Sequence, residues 1–128
     1  MLDIKKLLTK ILLATVATDV SSQITVSSAW TVLQKRAVKI GNRVYFWIEE
    51  NTSSYTYPYV YNFATFANAI KPKYMNAFTG HTTDGSFTPK GILTFYTDGT
   101  TLKVSAQNNS GAYFFVNGSY EIIGGGTP

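Results

Sequence analysis

The sequence predicts an all-β protein: an antiparallel β-sandwich preceded by a short amphipathic α-helix. Three observations predict it. Residues 30–50, WTVLQKRAVKIGNRVYFWIEE, read as two strands around Gly41-Asn42, a pair that tolerates the positive φ of a two-residue hairpin turn. Residues 91–105, GILTFYTDGTTLKVS, repeat the pattern around Asp98-Gly99. Between and after them, short apolar runs alternate with turn residues at close intervals, the pattern of a sandwich or barrel rather than of βαβ units.

The chain opens on an amphipathic stretch, residues 2–16. Ile4, Leu7, Leu8, Ile11, Leu12 and Thr15 share one helical face, and Lys5, Lys6, Thr9 and Lys10 fall largely on the other. Asp3 is placed to cap the N-terminus, where its charge suits the helix dipole. A helix of this length is marginal alone and needs a surface. Three uses are open. It packs on its own domain or against copies from other subunits, it is a secretory signal peptide cleaved near Ala14–Ala17, or it lies on a membrane surface. No run reaches the roughly 18 apolar residues of a membrane span. Ala17–Ala29 is rich in Ser and Thr, with a short strand expected at Gln23–Val26. The expected organisation is a helix over 1–17, a linker and edge strand over 18–29, a sandwich domain over 30–123 and a flexible tail over 124–128.

In the first hairpin, pairing Ile40 with Arg43 sets Val38 against Tyr45 and Arg36 against Trp47. Val44, Phe46 and Ile48 then share one face, and Tyr45, Trp47 and Glu49 the other. Both faces are apolar or aromatic for most of their length, so the second face is expected under another sheet or a neighbouring subunit. After a polar turn at 51–54, Tyr55, Tyr57, Tyr59, Tyr61 and Phe63 recur at every second residue, which places them on one side of an extended strand. Pro58 marks that strand as an edge or a bulge. The stripe has two explanations. Its rings fill a core or a subunit interface, or Tyr55, Tyr57, Tyr59 and Tyr61, with Trp47, form a stacking platform for sugar rings. Residues 63–70 fit either a helical turn or a continued strand. A strand is expected at 75–79, a loop at 80–89, a strand at 112–116, a turn at Asn117-Gly118 and a last strand at 119–123.

Composition narrows the chemistry. The chain has 128 residues, enough for one domain with one core. Charged residues are 14% of it, well below the usual share of about 25%, so its surface is neutral and polar or is partly buried in an oligomer. The net charge is +4, with much of the positive charge in Lys5, Lys6, Lys10, Lys35, Arg36, Lys39 and Arg43, but there is no dense Lys/Arg cluster or RNA-recognition motif, and nucleic acid is not an expected partner. There is no cysteine, so disulfides and thiolate metal sites are excluded. The one histidine, His81, has only Asp84 near it in sequence, too few ligands for a metal site. Glu49 and Glu50 are adjacent and point to opposite faces of a strand, so they are not a paired acid and base. No nucleophile elbow, P-loop or dinucleotide fingerprint is present. The sequence therefore points to no catalytic residues, no metal, no cofactor and no enzyme.

The order of elements resembles a family. MLDIKKLLTKIL opens the chain, and a Trp-led strand and the KIGNRVYF hairpin follow. Lys71-Pro72-Lys73-Tyr74 closes the centre, GILTFYTDGTTLKV forms the second hairpin, and an aromatic strand ends in Gly118-Ser119-Tyr120. This is similar to small modules of tailed bacteriophages and prophages, found in minor structural proteins, tail-fibre tips and receptor-binding heads. The resemblance covers roughly residues 1–123. Lys71–Tyr74 departs from the P-x-x-Y-R-P stretch often found there. It implies a jelly-roll fold similar to the tumour-necrosis-factor-like family, homotrimeric assembly, contacts with other virion proteins and no catalytic residues. The expected function is a non-enzymatic virion structural module of the tail or receptor-binding apparatus, in contact with host-surface saccharide. The alternatives are a free-standing carbohydrate-binding domain and a secreted β-sandwich adhesin. Localisation follows: the virion, or secretion if the N-terminus is a signal peptide.

Overall fold

The computed structural model describes residues 3–8, 16–28, 30–52, 59–106 and 112–123, with the side chains of Tyr59 and Ala106 excepted. Helical residues 4–8 come first. Nine strands follow among the described residues: β1 (Ala17–Asp19), β2 (Ile24–Val26), β3 (Thr31–Ile40), β4 (Arg43–Asn51), β5 (Tyr59–Phe66), β6 (Ala77–Thr83), β7 (Pro89–Asp98), β8 (Thr101–Ala106) and β9 (Tyr113–Glu121). They form one curled antiparallel sheet in the order β1-β3-β4-β9-β6-β7-β8-β5-β2. In β9-β6-β7-β8, two hairpins are followed by a strand that returns beside the first. That is a Greek key, and the whole is a jelly-roll-like sandwich.

The curl brings the two ends of the sheet together. β1 and β2 are consecutive in the chain, separated by Val20 and a single 3-10 turn, Ser21–Gln23. β1 pairs with β3 and β2 with β5, so one bent segment occupies both edges. Hydrogen bonds tie the bend down. Val20 N donates to Ala37 O at 2.9 Å, Ala37 N donates to Ser21 Oγ at 2.9 Å, and Lys35 Nζ donates to Ile24 O at 2.7 Å. Above this point Trp30 fills the seam. It is 7% exposed, meets Phe114 edge-on at 4.7 Å and Phe63 at 5.0 Å, and donates its Nε1 hydrogen to Asn62 O at 3.2 Å.

The core lies between the two layers. Val44, Phe46 and Ile48 of β4, Phe114, Val116 and Tyr120 of β9, and Phe63, Ala64 and Phe66 of β5 are buried together. Their rings cross the gap edge-to-face or tilted: Phe46 to Phe66 at 5.6 Å, Tyr120 to Phe66 at 5.0 Å and Phe63 to Phe95 at 5.0 Å. The Tyr120 hydroxyl donates to Ile70 O at 2.8 Å, which satisfies it in the core, and burial pushes its pKa up.

The first hairpin has the expected register, with Ile40 against Arg43, Val38 against Tyr45 and Arg36 against Trp47. Gly41 takes φ 61°, as its turn requires. Three segments differ from expectation. The second turn is centred one residue later, on Gly99 and Thr100, because Asp98 still pairs with Thr101. The expected loop at 80–89 shrinks to Asp84–Thr88, since β6 runs on to Thr83. Asn117-Gly118 is not a turn but the middle of β9, paired with Trp47 and Phe46. The physical reason lies in the packing: a Cβ on Gly118 would stand 2.7 Å from Cε1 of Phe78, and one on Gly80 2.5 Å from Phe115 O. These glycines are slots for rings, not turn residues. Residues 63–70 resolve as the end of β5 at Phe66 and a 3-10 turn at Asn68–Ile70.

Asp3 caps the N-terminal helical turn as expected, its Oδ1 accepting from Lys6 N at 3.1 Å. Ile4, Leu7 and Leu8 are exposed, at 64%, 41% and 59%, so residues 4–8 do not pack on the sandwich of their own protomer. The rest of the expected helix, 9–15, lies outside the described residues.

Gly118→Ala is expected to force the Phe78 ring out of its slot and to cost about 1–3 kcal/mol. Denaturant unfolding checks this: the midpoint should fall with an unchanged slope.

Candidate functional site

The strand pairings fix which side chains leave the core. On the layer built from β3, β4, β9 and β6, and continuing onto β7, one row of outward residues reads Gln34, Glu49, Phe115, His81, Ile92. The row below it reads Arg36, Trp47, Asn117. Ile92 is 80% exposed in mid-strand. His81 stacks on Phe115, with centroids 5.0 Å apart and planes 18° from parallel. The Arg36 guanidinium lies 5.2 Å from the Trp47 ring centroid, a cation–π contact.

A short loop adds to this face. Asp84–Thr88 connects β6 to β7, and the Asp84 carboxylate accepts from the backbone N–H of Ser86 at 2.8 Å and of Thr88 at 3.0 Å. Those hydrogen bonds hold the Asp84 carboxyl below its ordinary pKa, with a smaller contribution from Lys90. Phe87 stands in this loop at φ 62°, a conformation rare for a bulky residue that costs on the order of 1 kcal/mol. It is nonetheless 64% exposed, with Tyr113 at 5.6 Å and Phe115 at 6.3 Å. The result is an aromatic and aliphatic face of Trp47, Tyr113, Phe115, His81, Phe87 and Ile92.

The sequence-derived candidates fall in different places. Trp47 is half-buried on this outer face. Tyr61 points the other way: it pairs with Val104, packs against the core and meets Trp30 edge-on at 6.2 Å. Tyr55 and Tyr57 lie outside the described residues, as does the side chain of Tyr59. Phe115, His81, Ile92 and Phe87 were not singled out as a group from the sequence. His81 and Ile92 pair across the β6–β7 hairpin, whereas Phe115 joins them only because β9 inserts between β4 and β6. Among the described residues no three potential metal ligands converge, and no helix is long and apolar enough to cross a membrane.

The strongest electrostatic perturbation is on the inside. Glu50 faces the core, is fully buried, and neither carboxylate oxygen has a hydrogen-bond partner. Burial lifts its pKa from 4.5 to about 9, and attraction from Lys35 opposes this only in part. Glu50 is therefore protonated at neutral pH, since an unpaired buried carboxylate is costly. In the same interior row lies Phe114, then Thr82, whose buried hydroxyl also lacks a partner.

Because the folded-state pKa exceeds the unfolded one, Glu50 binds its proton more tightly when folded. Its stabilising contribution is complete below about pH 4.5 and is lost as pH rises towards about 9, with a slope approaching 1.4 kcal/mol per pH unit. Thermal midpoints should fall across this window, and Glu50→Gln should flatten the fall and raise the midpoint near pH 8. An unchanged slope in the variant would refute the assignment.

Comparison with known proteins identifies no relative: no family model matches the chain, and neither a curated protein nor a solved structure matches it.

Proposed function

We propose that the chain is a non-enzymatic structural module of a phage or prophage virion, part of the tail or receptor-binding apparatus, assembling as a homotrimer with other virion proteins. One observation carries this reading. The frame closes its own sheet and seals its most perturbed carboxyl inside, yet leaves large apolar side chains standing in water. Ile92, Met75, Phe87 and Tyr74 are 80%, 74%, 64% and 60% exposed. Surface of this kind marks contact with other molecules. The jelly-roll-like frame and the resemblance of its element order to phage modules support the same reading.

A carbohydrate-binding role is the second reading, favoured by the row Arg36, Trp47, Asn117, in which an indole is flanked by a guanidinium and an amide. Glycan-array binding that disappears in Trp47→Ala, Tyr57→Ala or Tyr59→Ala, with folding intact, supports it.

The leading reading is tested on particles. After induction of a host carrying the gene, purified virions probed with an antibody against the chain should carry it on their tails. Particles devoid of the chain, while the cell lysate contains it, sink the proposal. Light scattering of the purified chain at micromolar concentration should give three times the protomer mass.

A further inference from the structure

Exposed apolar side chains occur in several places, but one set is aligned. Ile4, Leu7 and Leu8 belong to the N-terminal turn, and Tyr74, Met75 and Ile123 cluster at the end of the sandwich near the Gly41-Asn42 turn. The outer face is different, because sheet register sets its residues side by side. We infer that the outer face of β3, β4, β9, β6 and β7 is the surface on which a second copy of this chain docks, with Ile92 and Phe87 as its anchors. The inference rests on the self-assembling reading above and names the surface that reading requires.

The contrast between the two outer faces carries much of the argument. On the opposite layer, Thr25, Thr65 and Thr101 form one outward row, and Asn62 and Lys103 the next. Val60, 41% exposed, stands in the row beyond, and Lys103 is paired with Asp98. The face bearing Ile92, Phe115 and Trp47 sets larger apolar side chains among its polar ones, with Ile92 80% exposed. Phe87 is held above it by the Asp84 hydrogen bonds, and its ring is 64% exposed beside Tyr113 and Phe115.

Size and charge fit a second copy. Five strands spaced about 4.8 Å apart, and about 30 Å long, give a face on the order of 600 Å² in projection. That is comparable with the roughly 800 Å² of accessible surface that each partner buries in a stable interface. In the two central rows the fully charged side chains are Arg36 and Glu49. Glu49 takes part in none of the ion pairs among the described residues. Each copy thus offers one cation and one anion on this face, and contact between successive copies around a threefold axis brings Arg36 of one to Glu49 of the next without trapping net charge. At the end of the face held by Ile92, Phe87 and Phe115 a saccharide finds fewer partners, because these side chains have no polar atoms.

Light scattering of the full chain over a concentration series tests this. Ile92→Lys and Phe87→Asn change exposed positions, and Asn tolerates the positive φ at residue 87. Each should raise the concentration at which the assembly dissociates by about 100-fold or more, with an unchanged circular-dichroism spectrum. Thr65→Lys on the opposite layer should leave it unchanged. Glu49→Arg should weaken assembly, and adding Arg36→Glu should restore it. If Ile92→Lys and Phe87→Asn keep the wild-type mass at every concentration, the face is wrong while the assembling module stands. A wild-type chain that is monomeric throughout overturns both. A monomer that binds a glycan array and loses that binding in Ile92→Lys assigns the face to a saccharide and also overturns the inference.

Discussion

Closure of the sheet by its own N-terminal segment is the constraint on which the rest depends. An open sheet presents unpaired N–H and C=O groups along two edges, which invite other strands. Here β1 and β2 pair with β3 and β5, so the bent segment Ala17–Val26 supplies both edge strands, each three residues long. The bend is possible because Ser21–Gln23 make a single 3-10 turn. Ser21 joins its two sides, with its Oγ accepting from Ala37 N and donating to Asp19 Oδ1 at 2.6 Å. Where the segment stops, Trp30 takes over with an indole ring and one hydrogen bond. Edge strands this short offer other strands little backbone to pair with.

Closure also sorts the side chains. A curled two-layer frame has one inside and two outsides. The inside is filled by phenylalanine and tyrosine rings at edge-to-face or tilted angles, and it fits only because Gly80 and Gly118 leave room for the rings of Phe95 and Phe78. Glu50 is the exception in that interior. A carboxyl there survives by holding its proton, at a cost to stability that grows with pH. A residue that weakens the protomer without meeting solvent has no role that the outer surface explains, and the packing alone gives no account of why it is not apolar.

The two outsides are unlike each other, and this asymmetry ties fold to function. One layer shows threonine, asparagine and lysine with Val60, and the other sets Trp47, Phe115 and Ile92 among Gln34, Arg36, Glu49 and Asn117. The difference lies in the side chains. It is surface chemistry laid over a rigid frame, as expected of a module that works by contact. Phe87 belongs to the same pattern: the hydrogen bonds of Asp84 hold its loop, and the ring stays 64% exposed beside Tyr113 and Phe115.

Much of the frame was legible in the residues themselves. Gly41-Asn42 between alternating strands determined the first hairpin, its register and the inward set Val44, Phe46 and Ile48, because turn geometry and a two-residue period are local properties. Asp3 determined its own cap in the same way. The outward set Tyr45, Trp47 and Glu49 followed too, but what lies beyond it did not. Asn117-Gly118 carries a turn signal, and only the Phe78 ring between neighbouring strands makes it strand interior. His81 and Ile92 meet across the β6–β7 hairpin, but Phe115 is far from both in sequence and becomes their neighbour only when β9 returns between β4 and β6. Tyr61 shares a period with the other tyrosines, yet the bend that brings Trp30 against it decides that it faces the core. Local residue chemistry fixes which residues alternate and where the chain turns back. Which strands lie side by side emerges in the folded core, because pairing between distant strands is chosen by the packing of the whole core and leaves no local mark.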